Sequence, residues 1–298
     1  MVDQAERLRE LSERCIALNE KGGEPECAAA HVLAIASGKG GVGKSSFAVN
    51  LALALANYGK KVLIVDADIG MANIDVMMGL IAKYSLIDII EGVRSFEEVV
   101  VTGPRNIKFL PGGSGIKSLV SLTNLELQRI LSQASQFEKA MDFILLDTGA
   151  GMGDTVMNFL MAADDILLVA TPEPTSLTDA YALIKAYAGN DNAGKAALRL
   201  VVNRVGSAAE SSVVADKLCK VAVKFLSVQL RQIGYIFEDP AVSQSIRSQR
   251  PLLLQSPDSP AAGCIAGIAR KLILGFEPAD KKGRYGFFKK FLNINSRK

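Results

Sequence analysis

Residues 38–45 read Gly38-Lys39-Gly40-Gly41-Val42-Gly43-Lys44-Ser45, a glycine-rich string that closes on Gly-Lys-Ser. In a G-x-x-x-x-G-K-[ST] loop, backbone N–H groups turn onto phosphate oxygens, the lysine reaches the β- and γ-phosphates, and the hydroxyl can hold Mg²⁺. Such a loop works only between a strand and a helix. Both are at hand: Val32-Leu33-Ala34-Ile35-Ala36 is an unbroken apolar run, and Phe47-Ala48-Val49-Asn50-Leu51-Ala52-Leu53 reads as a helix with its N-terminal dipole toward the anion. Contacts to a nucleotide are therefore expected from Gly40, Gly41, Val42, Gly43, Lys44, Ser45 and Ser46. Lys39 is surplus, because Lys44 already serves the phosphates. It is either a solvated surface lysine or a cation whose phosphate lies on a partner subunit.

Beyond the loop, apolar runs at 32–37, 61–66, 107–110, 142–147, 165–170, 198–203 and 232–237 alternate with helical stretches at 44–57, 123–138, 153–163, 175–188 and 208–228. Strands without polar alternation suit a parallel sheet buried on both faces. Repeated β-α units predict an α/β fold: a doubly wound, mostly parallel sheet with helices on both faces and ligands at the carboxyl ends of its strands. A length of 298 residues with 49% hydrophobic content supports one large domain, here 26–277. Residues 1–25 form an amphipathic helix and a linker, and 278–298 a basic tail. The net charge is +3, but 281–298 holds seven Lys or Arg and no acid, which leaves the remainder at −4. A uniformly basic nucleic-acid surface is not implied. The cysteines at 15, 27, 219 and 264 form no C-x-x-C pair, so a disulfide framework or a zinc or iron–sulfur site is not expected. The charged N-terminus has no signal-peptide core, which fits a cytoplasmic protein.

Carboxylates stand where chemistry would need them. Strand 61–66 ends in Asp66-Ala67-Asp68, whose two acids at i and i+2 point the same way. One can hold Mg²⁺ through water while the other orients a water for attack on the γ-phosphate. Strand 142–147 ends in Asp147-Thr148-Gly149-Ala150-Gly151, a second carboxylate followed by glycines that permit a switch. Glu277-Pro278 is expected to end the last domain helix. His31, the one histidine, is expected on the surface, and Pro111-Gly112-Gly113-Ser114-Gly115 as a flexible connection. Met71, Met77 and Met78 are assigned to helix packing or to a partner face.

Taken together, the lysine-bearing loop, Asp66-Ala67-Asp68 and Asp147-Thr148-Gly149-Ala150-Gly151 resemble the MinD/ParA group of deviant-Walker ATPases over nearly the whole chain. The resemblance implies an ATP/ADP cycle with Mg²⁺ and an ATP-dependent homodimer. In it Lys39 reaches the nucleotide across the dimer, Lys44 grips the phosphates, Asp68 positions the hydrolytic water, and Ser45, Asp66 and Asp147 lie at the metal. Asn203 and Arg204 resemble the adenine-side position, and Glu238 and Asp239, within Ile236-Phe237-Glu238-Asp239-Pro240, resemble the loop over the base.

Within the group, Asp3-Gln4-Ala5-Glu6-Arg7-Leu8-Arg9 resembles the D-Q-A-x-x-L-R element of the FlhG (FleN/YlxH) branch. That resemblance implies control of flagellar number and placement. It also implies stimulation of the GTPase FlhF through Asp3, Gln4, Ala5, Leu8 and Arg9, with flagellar C-ring proteins and a transcription regulator as further partners. The bland reading is a charged helix without a partner. In the tail, Phe287, Phe288, Phe291 and Leu292 gather on one side of a helix flanked by Lys289 and Lys290. That pattern suits an anionic membrane face, bound reversibly and best in two copies. The same phenylalanines could instead dock on the protein's own surface. A MinD-type division ATPase ordinarily lacks the N-terminal extension, a ParA-type DNA-partition ATPase wants a basic body, and an iron–sulfur carrier wants the missing cysteine pair.

Overall fold

The apolar runs assemble into one eight-stranded sheet in the computed structural model of the protein, which describes residues 30–68, 74–112, 133–190, 196–275, 286, 290 and 291. In chain order the elements are β1 (His31–Ser37), α1 (Lys44–Asn57), β2 (Val62–Ala67), the short helices α2 (Ile74–Met78), α3 (Leu86–Ile90) and α4 (Phe96–Val99), then β3 (Val101–Thr102) and β4 (Lys108–Leu110). A helical stretch at 133–140, α5, leads into β5 (Phe143–Ala150). There follow α6 (Asp154–Ala162), β6 (Asp165–Ala170), α7 (Pro174–Ala188), β7 (Ala197–Val205), α8 (Ala208–Leu226), β8 (Leu230–Phe237), α9 (Pro240–Arg247), α10 (Leu252–Gln255) and α11 (Pro260–Leu274).

Strand order is β3-β4-β2-β5-β1-β6-β7-β8, and every described pairing is parallel except β3 with β4. The doubly wound expectation holds. Only the two-residue edge strand β3 departs from it, too short to leave a period in the sequence. β1 lies at the centre with all seven residues buried, because its side chains alternate between two cores. Val32, Ala34 and Ala36 face one core with α6, α7 and α8, whereas Leu33 and Ile35 face the other with α1 and α11. α1 is enclosed from Phe47 to Leu55. A helix so uniformly apolar belongs under other elements, and its fixed axis sets the aim of the loop before it.

The last domain helix ends at Leu274, capped by Gly275, a few residues before the expected stop at Glu277-Pro278. Met78 is buried and Met77 packs beside it, in keeping with a packing role, while Met71 lies outside the described residues. His31 corrects the expectation of a surface residue. Only 8% of it is exposed, because it opens a wholly buried strand. There its Nε2 shares a hydrogen bond with Asp165 on the neighbouring strand at 2.9 Å, and its ring meets Phe143 edge-on. Burial alone would raise the Asp165 carboxyl, but His31 and Arg199 hold it below the ordinary range.

The tail is described at three residues. Phe291 is 1% exposed and stacks on Phe159 of α6 with ring centroids 4.4 Å apart, and Lys290 Nζ donates to Asp164 at 2.8 Å. Burying a phenylalanine stabilises by about 1.5–3 kcal/mol, so this is a firm attachment. It lies at the amino-terminal rim of the sheet, where β1 and β6 begin, across the molecule from the phosphate loop. Phe287, Phe288, Lys289 and Leu292 lie outside the described residues, as do Asp3, Gln4, Ala5, Leu8 and Arg9. Among the described residues no helix is long and apolar enough to cross a membrane.

Candidate functional site

The glycine string leaves β1 and enters α1 at Lys44, so the sheet and a buried helix fix both its ends. Two glycines are required by what surrounds them. A Cβ on Gly38 would lie 2.2 Å from the Asp179 carbonyl of α7, and Gly43 adopts φ +91, a backbone conformation that other residues rarely take. β2 and β5 bring the acids alongside, Asp66 one residue before the end of β2; β5 runs on to Ala150, three residues past the expected stop at Asp147, so Thr148, Gly149 and Ala150 belong to the strand. Asp66 and Asp147 are register partners on adjacent strands, which makes their proximity a consequence of parallel pairing.

Electrostatics in this cluster are strongly perturbed. Lys44 Nζ donates to Asp147 Oδ1 at 2.7 Å, with both side chains buried. Burial pushes the Asp147 carboxyl up, and Lys44 and Ser45 oppose that rise. Asp66, 1% exposed, is pushed up to about 7, first by burial and then by the charge of Asp147. Its Oδ1 accepts from the Asp68 N–H at 3.2 Å, while its Oδ2 is buried without a hydrogen-bond partner. An orphaned buried oxygen beside a hydroxyl and a second acid is what an incoming cation would satisfy. No cluster of three or more His, Cys, Asp or Glu among the described residues is built to hold a metal by itself. Mg²⁺ takes one or two carboxylates and relies on phosphate oxygens and water for the rest. Asp68 is half-buried and close enough to raise the Asp147 carboxyl by its charge.

Lys39 is placed differently. Its ammonium donates to Glu173 Oε2 at 2.7 Å and to Thr175 Oγ1 at 2.9 Å, on the rim of the site, with 37% of its side chain exposed. Lys39 holds the exposed Glu173 carboxyl below the usual range. Glu173 and Thr175 were not among the residues expected at the site. The signal available was positional: Thr171-Pro172-Glu173-Pro174-Thr175 leaves the carboxyl end of β6, next to the loop-bearing strand. After Asp147, Gly151, at φ +93, donates its N–H to Ser37 O at the end of β1, just before the loop.

On the other side of the loop, Asn203, Arg204, Glu238 and Asp239 come together with Gly43, Ser46 and Phe47 around a cavity of about 250 Å³. These expected residues therefore share one space with the loop. Asp239 has a structural task there: its carboxylate caps α9 through Ala241 N–H and accepts from Ala261 N–H of α11. Asn50 fixes the far wall by accepting from Leu253 N–H while donating to Ser46 O.

The chain is similar to known proteins over most of its length. A family model described as an AAA domain matches residues 30–195. The antiactivator FleN of Pseudomonas aeruginosa is 39% identical over 257 residues, spanning 86% of this chain and 91% of FleN. The flagellum site-determining protein YlxH of Helicobacter pylori is 34% identical over 265 residues, 87% of this chain and 89% of YlxH. Among solved structures, the MinC:MinD cell division complex of Aquifex aeolicus contains a chain that superimposes with a TM-score of 0.64 at 29% identity, covering 86% of this chain and 100% of that one.

Proposed function

For a chain that belongs to the MinD/ParA family of phosphate-loop ATPases, in its FleN/YlxH branch, we propose a nucleotide-operated dimerising switch that governs flagellar number and placement. The observation that carries this reading is the division of labour between the two loop lysines. Lys44 points into its own site, whereas Lys39 stands on the rim and spends its charge on Glu173. With ATP bound, Lys44 exchanges Asp147 for the β- and γ-phosphates. Lys39 exchanges Glu173 for a phosphate of the partner subunit. Ser45, Asp66 and Asp147 would hold Mg²⁺, which when bound would neutralise phosphate charge. Asp68, at the mouth of the same carboxylate cluster, orients the attacking water and accepts its proton. Asn203, Arg204, Glu238 and the wall at Asp239 receive the base.

Output is a change of partners. Residues 1–9, with Gln4 foremost, stimulate the GTPase FlhF. Flagellar C-ring proteins and a transcription regulator are further partners by family resemblance, in line with the flagellum site determination in YlxH's name and the antiactivation in FleN's. The tail carries the protein from cytoplasm to the anionic inner face of the membrane. In this structure Phe291 and Lys290 are docked against Phe159 and Asp164, so membrane binding requires their release, and the dimer gains from presenting two tails.

Light scattering on the Asp68→Ala protein tests the reading. ADP should leave a monomer near 31.7 kDa and ATP a dimer. Anionic liposomes should retain only the dimer, and deletion of 281–298 should abolish retention. A protein that stays monomeric in saturating ATP sinks the switch. Equal retention of the ADP and ATP forms sinks the coupled anchor.

A further inference from the structure

Asn203 sits in β7, 9% exposed, with its amide between the base cavity and the phosphate loop. Its Nδ2 donates to the Val42 carbonyl at 2.7 Å, and its Oδ1 accepts from Arg204 N–H at 2.9 Å. The two bonds together fix which end of the amide faces which way. Contact with the loop is close: a Cβ on Gly43 would lie 2.5 Å from Nδ2, so only a glycine leaves room for this side chain.

Geometry gives that hydrogen bond a consequence. A trans peptide is planar, and its C=O and N–H point in opposite directions. Drawing the Val42 carbonyl toward β7 therefore aims the Gly43 N–H away from β7, on the side left for an anion. Gly43 holds φ +91, a conformation that a free loop samples among several, and its carbonyl opens α1 by accepting from Phe47 N–H. Asn203 is the side chain among the described residues that holds the plane of the 42–43 peptide. Anion-binding loops depend on donors that are already aimed, because aiming them at the moment of binding costs entropy.

We propose that Asn203 is a positioning residue for phosphate as well as a wall of the base cavity, holding the Val42–Gly43 peptide in its phosphate-ready orientation before any nucleotide arrives. The proposal rests on the reading of the cavity as a base site, and it makes a demand that a simple base contact does not. A ligand with phosphates and no base should feel the loss of Asn203.

Calorimetric titration of the nucleotide-free protein with inorganic tripolyphosphate and with ATP, both with Mg²⁺, makes the test. In Asn203→Ala, tripolyphosphate affinity should fall about tenfold, the ordinary scale of one buried hydrogen bond with its partner stranded, and ATP affinity at least as much. Hydrogen exchange at the amides of 41–45 in the ligand-free protein should accelerate by a similar factor. Tripolyphosphate binding unchanged while ATP weakens would confine Asn203 to the base and overturn the proposal, as would unchanged exchange at 41–45. The underlying reading fails separately, and in the wild-type protein: it falls if ATP binds no better than tripolyphosphate. Should Asn203→Ala not fold, Asn203→Thr, which keeps a donor and suits a strand, is read by the same criteria with smaller changes.

Discussion

Lys44 and Lys39 each hold a carboxylate at 2.7 Å, five residues apart on one loop, yet the two contacts have little else in common. Lys44 and Asp147 are 8% and 1% exposed, enclosed by the central strands and α1. Lys39 and Glu173 are 37% and 56% exposed at the rim. In the interior neither charge can be stranded cheaply, so the Lys44 pair persists until another charge replaces one member. At the rim, water compensates whatever is released, so the Lys39 pair exchanges readily. Distance alone would call these bonds equal; their surroundings make one a clamp and the other a catch.

The strongest attempt to break the comparison removes the clamp. Lys44→Ala should lower nucleotide affinity by at least about a hundredfold, since the phosphates lose a buried cation. It also leaves Asp147 buried without its cation, which should cost about 3 kcal/mol of stability in urea unfolding of the nucleotide-free protein. A loss of binding with unchanged stability would mean that Asp147 is already neutral, and the clamp would be an ordinary hydrogen bond. Removing the catch should give the reverse pattern. Lys39→Ala should leave unfolding within about 0.5 kcal/mol of wild type and ADP affinity nearly unchanged. ATP-induced dimerisation, followed by sedimentation, should weaken by more than tenfold. Normal dimerisation of Lys39→Ala would remove the cross-subunit role.

The same contrast between enclosed and exposed governs what could be read from the sequence. Much that is set by local pattern was legible: the loop between an apolar run and a helix, and Asp66-Ala67-Asp68 and Asp147 on apolar strand runs, whose meeting across β2 and β5 the fold then supplied. Pairings between distant residues were not. Glu173 follows Lys39 by 134 positions, and an acid flanked by two prolines reads as solvated loop. His31 and Asp165 are separated by 134 positions as well, so a lone histidine gave no hint of its partner. Some missed elements did carry a signal. Asp239-Pro240 and Ser259-Pro260 each set a capping side chain before a proline at the first helical position, the ordinary start of α9 and α11. Asp239 can also be read as a ligand contact, and the cap explains its chemistry without one. In the tail, the phenylalanines promise an apolar face, but whether lipid or Phe159 receives it depends on the folded partner. Here Phe291 takes Phe159.

Glu173 sharpens the comparison further, by a smaller effect of opposite sign. If its carboxylate is a catch for Lys39, then weakening it should favour whatever Lys39 does next. Glu173→Gln keeps the size and a hydrogen-bonding oxygen while removing the charge, and Thr175 still offers its hydroxyl to the ammonium. Folding should be unaffected, since both partners are wet in the monomer. ATP-driven dimerisation should strengthen by about two- to fivefold, while the ADP form stays monomeric. The double variant Lys39→Ala with Glu173→Gln should dimerise no better than Lys39→Ala alone, because a catch has no effect without the part it holds. If Glu173→Gln instead weakens the dimer as Lys39→Ala does, the glutamate makes a contact of its own in the closed pair, and exposure would mark a second binding residue.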